Sequence, residues 1–268
     1  MTHDQGSYTD GVTQSVVPSY ELTQLPNGWT VGKFSALSEL GIPHLVTTRA
    51  ALDAALVGSD PAAAAVELAR AMGLEGVTYA RQMHESRVLA VGGPGLAGEA
   101  DGLATDRPEL GLMALSADCP LVLLADRLGG AVGIAHASWR ATVKRVAGHL
   151  VHLLASRFGA KPSNLAACIG PSAGPCCYEV GLDVYQKATV GLGRAVEKCF
   201  VNRQGRMYLD LWAANREQLI REGLNPADVH VAGVCTICHH DQYPSFRVEG
   251  ESAGRFAAVI ALPGRAKE

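Results

Sequence analysis

The sequence predicts an α/β fold, a layered α/β/α sandwich around a mixed and mostly buried β-sheet. Short apolar runs alternate with segments of helical periodicity along most of the chain. Hydrophobic residues make up 48% of the 268 residues and charged residues 18%, so a large core and little disorder are expected. The sequence has no internal repeat and no low-complexity linker, which favours a single α/β domain over residues 27–268.

Individual elements follow from local patterns. The segment 61–72 is rich in alanine and is followed by a glycine, as expected of a helix and its end. Apolar residues at intervals of three and four predict one long helix over 143–158, and Ser138 suits its N-cap. A further helix is predicted at 208–221, and strands are predicted at 88–91, 111–116, 131–135, 165–169, 229–234 and 256–262.

Composition and charge narrow the class of protein. Residues 1–26 are polar and predict a flexible tail, and the first eighteen lack the basic start and apolar run of a secretory signal. Without such a signal we expect a cytoplasmic protein, in which cysteines are more often thiols, ligands or nucleophiles than disulfides. The seven cysteines also cannot all pair within the chain. The net charge of −3 argues against a nucleic-acid partner, and no apolar run is long enough to span a membrane. We expect a monomer that acts on a small molecule.

Three residues form a candidate metal site. His84 precedes a predicted strand, Cys119 follows one, and His136 ends one. Taken singly, each residue is more often explained by packing or hydrogen bonding. Together, two imidazoles and a thiolate form the three-ligand set of catalytic zinc sites, which leaves a fourth position for water or substrate. Their spacing matches no zinc finger and fits ligands that arrive from separate strands.

Charged residues near these segments are candidates for substrate binding and catalysis. Arg49, Arg140 and Arg247 could each bind an oxyanion through two parallel hydrogen bonds, although a surface role explains any one of them alone. Asp118, beside Cys119, is a candidate acid or base, or a partner that orients a metal-binding histidine. Capping of a turn is an equally good interpretation of Asp118.

The remaining cysteines lie in two short motifs. CTICHH at 235–240 could form another metal site or a redox pair, but it has no second CxxC partner and we interpret it as structural. The adjacent Cys176 and Cys177 are interpreted in the same way, because neighbouring cysteines do not easily ligate one ion together.

A series of motifs resembles one known family in content and order. The motifs are TTR at 47–49, QMH at 82–84, EADGLAT at 99–105, SADCPLVLLAD at 116–126, GIAHASWRATV at 133–143, CIGPSAGPCCYEVGLDV at 168–184, YLDLWAANREQL at 208–219, VCT at 234–236, SFR at 245–247 and GR at 254–255. Over about residues 29–262 the chain is similar to the multicopper polyphenol oxidase or laccase-like family. That family is also described as purine nucleoside phosphorylase and as the bacterial peptidoglycan editing factor.

The resemblance implies an α/β sandwich and a zinc site at His84, Cys119 and His136, with copper as the alternative metal. It implies phosphorolysis of adenosine, inosine or guanosine, with adenosine deamination or peptidoglycan editing as further roles. The candidate catalytic residues are Cys119, Asp118 and Arg49, and the candidate binding residues are Arg140, Arg247 and Gln82.

Two alternatives to a nucleoside enzyme stay open. The chain could be a metal-binding regulatory protein without turnover, or a copper-dependent phenol oxidase. The nucleoside enzyme is preferred because three arginines suit phosphate better than a phenol.

The family has HAGWRG where this chain has HASWRA, so Ser138 and Ala141 replace glycines and could alter the pocket.

Overall fold

The structure is a computed structural model that describes residues 19–264. Its helices are α1 (Ser35–Glu39), α2 (Ala54–Ser59), α3 (Pro61–Met72), α4 (Trp139–Val143), α5 (Val146–Phe158), α6 (Leu182–Leu192), α7 (Leu211–Arg221) and α8 (Phe246–Glu249). Its strands are β1 (Tyr20–Gln24), β2 (Thr30–Phe34), β3 (His44–Thr47), β4 (Gly76–Arg81), β5 (Val88–Ala90), β6 (Gly95–Glu99), β7 (Gly102–Thr105), β8 (Leu110–Ser116), β9 (Leu121–Asp126), β10 (Val132–His136), β11 (Leu165–Ile169), β12 (Glu179–Val180), β13 (Phe200–Arg203), β14 (Arg206–Leu209), β15 (Val229–Val231) and β16 (Phe256–Ile260). Within this part of the chain, the helices are all too short or too polar to cross a membrane.

Two large mixed sheets form the centre of the fold. The first has the strand order β1-β2-β3-β16-β8-β4-β6, and the second has the order β15-β11-β9-β10-β7-β5. Each contains both parallel and antiparallel pairs; β4 and β8 run parallel, for example, whereas β9 and β10 run antiparallel. A small antiparallel sheet of β12, β14 and β13 lies apart from these two.

The side chains of β9 show how the layers pack. Leu121 and Leu123 lie in a buried cluster with Leu112 and Ile260 of the first sheet, so the two sheets face each other. The alternate residue Leu124 points the other way, into a cluster with α5 and α7. On the outer face of the first sheet, α3 packs in the same manner. Successive side chains of a strand point to opposite faces of its sheet, and here both faces are buried. The fold therefore has four layers in the order helix, sheet, sheet and helix.

The predicted α/β class with mixed strands is confirmed. The strands are divided between two facing sheets, where the sequence predicted one sheet between helices. The difference arises because apolar runs reveal that a strand is buried, whereas its partners are set by contacts between residues far apart in sequence.

The predicted helices agree best with the structure where the local sequence signals are strong. Helix α3 begins after Asp60, whose side chain caps Ala63, and ends at Gly73, whose φ of 66° few other residues adopt readily. The single helix predicted over 143–158 is two helices, because Arg145 has a φ of 63° and breaks the run. Ser138 caps α4, with its hydroxyl accepting the Ala141 N–H at 3.2 Å.

Two other boundaries differ from the prediction. Residues 1–18 lie outside the described part of the chain, but Tyr20–Gln24, predicted as flexible tail, form a strand paired with β2. Tyr20 packs on Phe34 with 4.8 Å between ring centroids, and its hydroxyl lies 2.9 Å from that of Tyr243. These tertiary contacts stabilise a strand in a segment whose polar composition predicted no regular structure. The segment 208–210, predicted as helix, lies before α7, with Tyr208 in β14.

His44 in β3 makes the fold sensitive to acid. Its ring is buried; Nε2 accepts the Phe34 backbone N–H at 2.8 Å, and Nδ1 donates to the Ile42 carbonyl oxygen at 2.8 Å. Burial is the main cause that lowers the pKa of His44 from 6.5 to about 4. The neutral ring is therefore the form that the folded chain accommodates.

This pKa predicts the direction of a pH dependence. The stabilisation is complete above pH 6.5 and is lost as the pH falls towards 4, because the unfolded chain then binds the proton more tightly. Between pH 7 and pH 5 the loss from this residue should be about 2 kcal/mol. In urea unfolding, His44→Gln should lose less stability over this interval, since Oε1 still accepts the Phe34 N–H but does not titrate. Equal losses in both proteins would contradict this role of His44.

Candidate active site

Three side chains from separate strand ends meet at one edge of the fold. His84 follows β4, Cys119 lies between β8 and β9, and His136 is the last residue of β10. One ligand atom from each lies within 4.8 Å of the other two. The His84 and His136 rings are nearly perpendicular, with 4.9 Å between centroids. This convergence matches the expectation that ligands arrive from different strands.

The buried carboxylate of Asp101 holds both histidines in place. Its Oδ1 lies 2.8 Å from His136 Nδ1. It also accepts three backbone N–H groups of the segment that carries His84, from Met83 at 3.0 Å, His84 at 3.1 Å and Glu85 at 2.8 Å. Since Nδ1 of His136 is bonded to Asp101, its Nε2 is left free to bind an ion. Asp101 and His136 thus form a carboxylate–histidine pair of the kind found where a histidine binds a metal ion.

The ionisation of these groups follows from burial and from their mutual contacts. Burial opposes protonation of His136, but the Cys119 sulfur and the Asp101 carboxylate outweigh it and raise the His136 pKa to about 9. Burial is the main cause that lowers the pKa of His84, and the positive charge of His136 adds to it. Burial alone would raise the pKa of Asp101, but the hydrogen bonds from His136 and from Glu85 hold it below its usual value.

The donor set fits a metal ion. Two imidazoles and one thiol face one another, and the buried Asp101 carboxylate supplies the hydrogen bond that orients a ligating imidazole. The backbone at His84 has a φ of 57°, a left-handed conformation that costs energy outside glycine and is found most often at functional sites. Three N–H bonds to Asp101 stabilise that conformation.

A cavity of about 570 Å³ opens over these residues. It is large enough for a ligand of nucleoside size with a small anion. The residues that line it are Gly58, Pro61, Ala80, Arg81, Gln82, His84, Leu115, Ser116, Ala117, Asp118, Cys119, His136, Ser138, Trp139, Arg140, Tyr178, Leu211, Phe246, Arg247 and Arg255.

Several cationic side chains line the cavity. The Arg140 guanidinium stacks on the Trp139 ring at 4.6 Å, and that of Arg247 stacks on the Tyr178 ring at 4.6 Å. Arg255 is half-buried and donates Nη1 to the carbonyl oxygens of residues 253 and 254. Within residues 19–264, neither Arg140 nor Arg255 forms a salt bridge with a carboxylate, so their charges are available to an anion. Two of the three arginines chosen from the sequence, Arg140 and Arg247, thus lie at the cavity.

Arg49, the third, is placed differently. It does not line the cavity. Its Nη2 pairs with Glu249 at 2.5 Å, and its Nε donates to the His240 carbonyl oxygen at 2.9 Å. These bonds tie the end of β3 to the segment that contains α8. The geometry therefore does not support Arg49 as a substrate ligand, because its guanidinium is already bonded elsewhere.

Asp118 and Gln82 line the cavity, but their polar atoms are bonded to the protein. Asp118 accepts the Thr236 hydroxyl at 2.6 Å and the Arg247 backbone N–H at 2.8 Å. The histidine-orienting role suggested for Asp118 belongs to Asp101. The Gln82 amide exchanges two hydrogen bonds with the Leu115 backbone, at 2.8 and 2.7 Å, and so joins the ends of β4 and β8.

Several residues of the site were given no role from the sequence, among them Asp101, Arg255 and Tyr178. Asp101 and Arg255 lie in the EADGLAT and GR motifs, and Tyr178 lies in the CCYEV motif, but no role was assigned to them. The signal for Asp101 was an acidic residue immediately before a buried strand. Its partners lie 16 to 35 residues away, so no local pattern could identify them.

The chain is similar to several known proteins and solved structures. The chain is 36% identical over 241 residues to a protein named purine nucleoside phosphorylase from Deinococcus radiodurans, covering 84% of this chain and 91% of the relative. It is 33% identical over 158 residues to "Adenosine deaminase RL5" from an unknown prokaryotic organism, covering 58% of this chain and 59% of that one. The crystal structure of YlmD from Geobacillus stearothermophilus matches with a TM-score of 0.78 and 26% identity, over 91% of this chain and 99% of the other.

The family model described as multi-copper polyphenol oxidoreductase laccase matches residues 57–263. The chain belongs to this family, and the resemblance inferred from its motifs is confirmed.

The contacts of Asp101 and Asp118 predict different effects of the same substitution. Asp101→Asn replaces one acceptor oxygen by an NH₂ group that faces N–H donors, so metal affinity should fall by about 10–100-fold. Asp118→Asn is the matched control, because Asp118 contacts Thr236 and Arg247 and neither histidine. Affinity is measured by competition with a chelator for the bound metal. Equal affinities in Asp101→Asn and the unmodified protein would show that Asp101 does not support the ligands.

Proposed function

We propose that the chain is a zinc-dependent purine nucleoside phosphorylase, which converts adenosine, inosine or guanosine and phosphate to the free base and ribose 1-phosphate. One observation carries the proposal: a nucleoside-sized cavity has two histidines and a cysteine facing it and arginines around it. The names of the family relatives support the same substrate class. The lining residues run from Gly58 to Arg255, which supports the prediction of a single catalytic domain over residues 27–268.

His84, Cys119 and His136 would hold the zinc ion, because a mixed imidazole and thiolate set suits zinc and Asp101 orients one imidazole. Bound there, zinc would supply a Lewis acid that polarises an oxygen atom of the substrate or of water. The protein's part is to keep this donor set fixed and turned towards the cavity.

The arginines would bind and position phosphate. Phosphorolysis joins a phosphate oxygen to C1′ of the ribose and breaks the bond from C1′ to the base nitrogen, which leaves with the bonding electron pair. The guanidinium groups of Arg140, Arg247 and Arg255 would neutralise the phosphate and direct its oxygen at C1′. Asp118 would act as a positioning residue, since it fixes the Arg247 backbone at 2.8 Å.

Aromatic surfaces in the same cavity suit the base. Phe246 lines the cavity and is 48% exposed, and Trp139 and Tyr178 contribute two further rings. A flat purine stacks on such rings with an energy of about 1–3 kcal/mol per contact. Rings for the base and guanidinium groups for phosphate together favour a nucleoside over a simple phenol as substrate.

Other roles stay predictions. One relative is named adenosine deaminase, and an activated water would suit that reaction in the same cavity. Peptidoglycan editing, a cytoplasmic location and a monomeric state rest on the sequence alone. Copper-dependent phenol oxidation and a non-catalytic metal-binding role are the alternatives that the assay below separates.

The direct test is an assay of the purified protein with each nucleoside, with and without phosphate. We expect the free base and ribose 1-phosphate in equal amounts, and neither product when phosphate is omitted. Conversion of adenosine to inosine without phosphate would identify a deaminase. Metal-loaded protein that converts none of the three nucleosides, or that consumes oxygen only with copper and a phenol, would overturn the proposal.

Single arginine variants test the phosphate site. Arg140→Ala and Arg255→Ala should each raise KM for phosphate by about 10–150-fold, the range expected for loss of a hydrogen bond to a charged group. Arg70→Ala is the control, because Arg70 is exposed on α3 and pairs with Glu67 away from the cavity. An unchanged phosphate KM in both cavity variants would show that these arginines do not bind phosphate.

A further inference from the structure

Four of the seven cysteines meet in a second cluster. Cys176 and Cys177 lie in the loop after β11, and Cys235 and Cys238 lie in the loop after β15. The two motifs, interpreted separately from the sequence, are brought side by side by the Ser172–Cys235 bridge, in which the Thr236 N–H donates to the Ser172 carbonyl at 3.0 Å. The CTICHH motif therefore has the second pair of cysteines that it lacked in the sequence.

The sulfur positions suit one tetrahedral ion. All four Sγ atoms lie within 4.8 Å of one another. Cys238 Sγ lies 3.3 Å from Cys177 Sγ and 3.6 Å from Cys176 Sγ. Four sulfurs held about 2.3 Å from a zinc ion would be about 3.8 Å apart, close to these values. Because the two neighbouring cysteines both face Cys238, their adjacency in sequence does not prevent joint ligation.

The surroundings of Cys235 also suit a metal-bound thiolate. Its buried sulfur accepts the Gly174 backbone N–H at 3.3 Å. Backbone donors stabilise negative charge on sulfur, as they do for other anions. Backbone donation to the first cysteine of the CxxC pair therefore favours the thiolate form, which binds a cation.

Charge and access are consistent with an ion at this position. Four thiolates and one divalent ion carry a net charge of about −2. Arg203 lies beside the cluster and donates its Nη2 to the carbonyl oxygens of Pro175 at 2.6 Å and Cys176 at 2.9 Å. Cys176 and Cys238 are exposed, so an ion can enter from solvent.

We propose that Cys176, Cys177, Cys235 and Cys238 form a structural zinc site, distinct from the set of His84, Cys119 and His136. A tetrahedral set of four sulfur ligands suits zinc and leaves no position for substrate. The ion would brace one wall of the cavity. Tyr178 follows Cys177 directly, and Thr236, between the other two ligands, bonds Asp118 at 2.6 Å.

Metal analysis of the purified full-length protein gives the first test. We expect two zinc ions per chain. The Cys176→Ser/Cys238→Ser double variant and Cys119→Ala should each retain one, from opposite sites. Cys199→Ala, which removes a thiol outside both groups, should retain two. If the double variant keeps as much zinc as the unmodified protein after a chelator challenge, the proposal is wrong.

Cobalt substitution tests the ligands with no variant at the cluster and without an activity assay. Cobalt bound at the cluster should give the strong charge-transfer absorption of four thiolates, and this should persist in Cys119→Ala. Titration of thiols in the unfolded, chelated protein should find all seven cysteines free. Two fewer thiols, together with one zinc per chain, would identify a disulfide and overturn the metal site.

Discussion

The site depends on one buried carboxylate, that of Asp101. It accepts bonds from His136 and from the backbone segment that carries His84, so a single residue fixes two of the three proposed ligands. The Asp101 carbonyl also accepts the His136 N–H at 2.7 Å, which joins the start of β7 to the end of β10. A buried charge with this many donors is strongly stabilised, whereas the same charge without them would cost several kcal/mol. The hydrogen bonds of Asp101 therefore hold both the edge of the sheet and the two histidines in position.

Part of the cavity wall is built by loops rather than strands. Asp118 has a φ of 86° and bonds both Thr236 and the backbone of Arg247, so three distant segments meet at its carboxylate. Asp adopts this conformation at lower cost than most residues, and the bonds it makes there repay the strain. The position of Arg247, and with it the charge that faces the cavity, is set through these contacts and through the Tyr178 ring.

The sequence predicted those features that local chemistry determines. Helix α3 carries its own cap and terminating glycine, and β8 and β10 are continuous apolar runs, so these three elements could be predicted. The combination of His84, Cys119 and His136, with the ordered family motifs, indicated the ligand set. Contacts between distant residues gave no such signal. The second sheet, the strand at Tyr20–Gln24, the role of Asp101 and the cysteine cluster all depend on them. Arg49 was grouped with the site by its motif, but its guanidinium pairs with Glu249 and the residue does not line the cavity.

We propose that His84, Cys119 and His136, held in place by Asp101, bind zinc. Anomalous scattering from crystals of the protein, recorded on both sides of the zinc and copper absorption edges, would locate and identify the metal. We expect a zinc-specific peak about 2.0–2.3 Å from one nitrogen of each histidine and from Cys119 Sγ. A copper-specific peak there, or zinc scattering confined to other parts of the molecule, would contradict it.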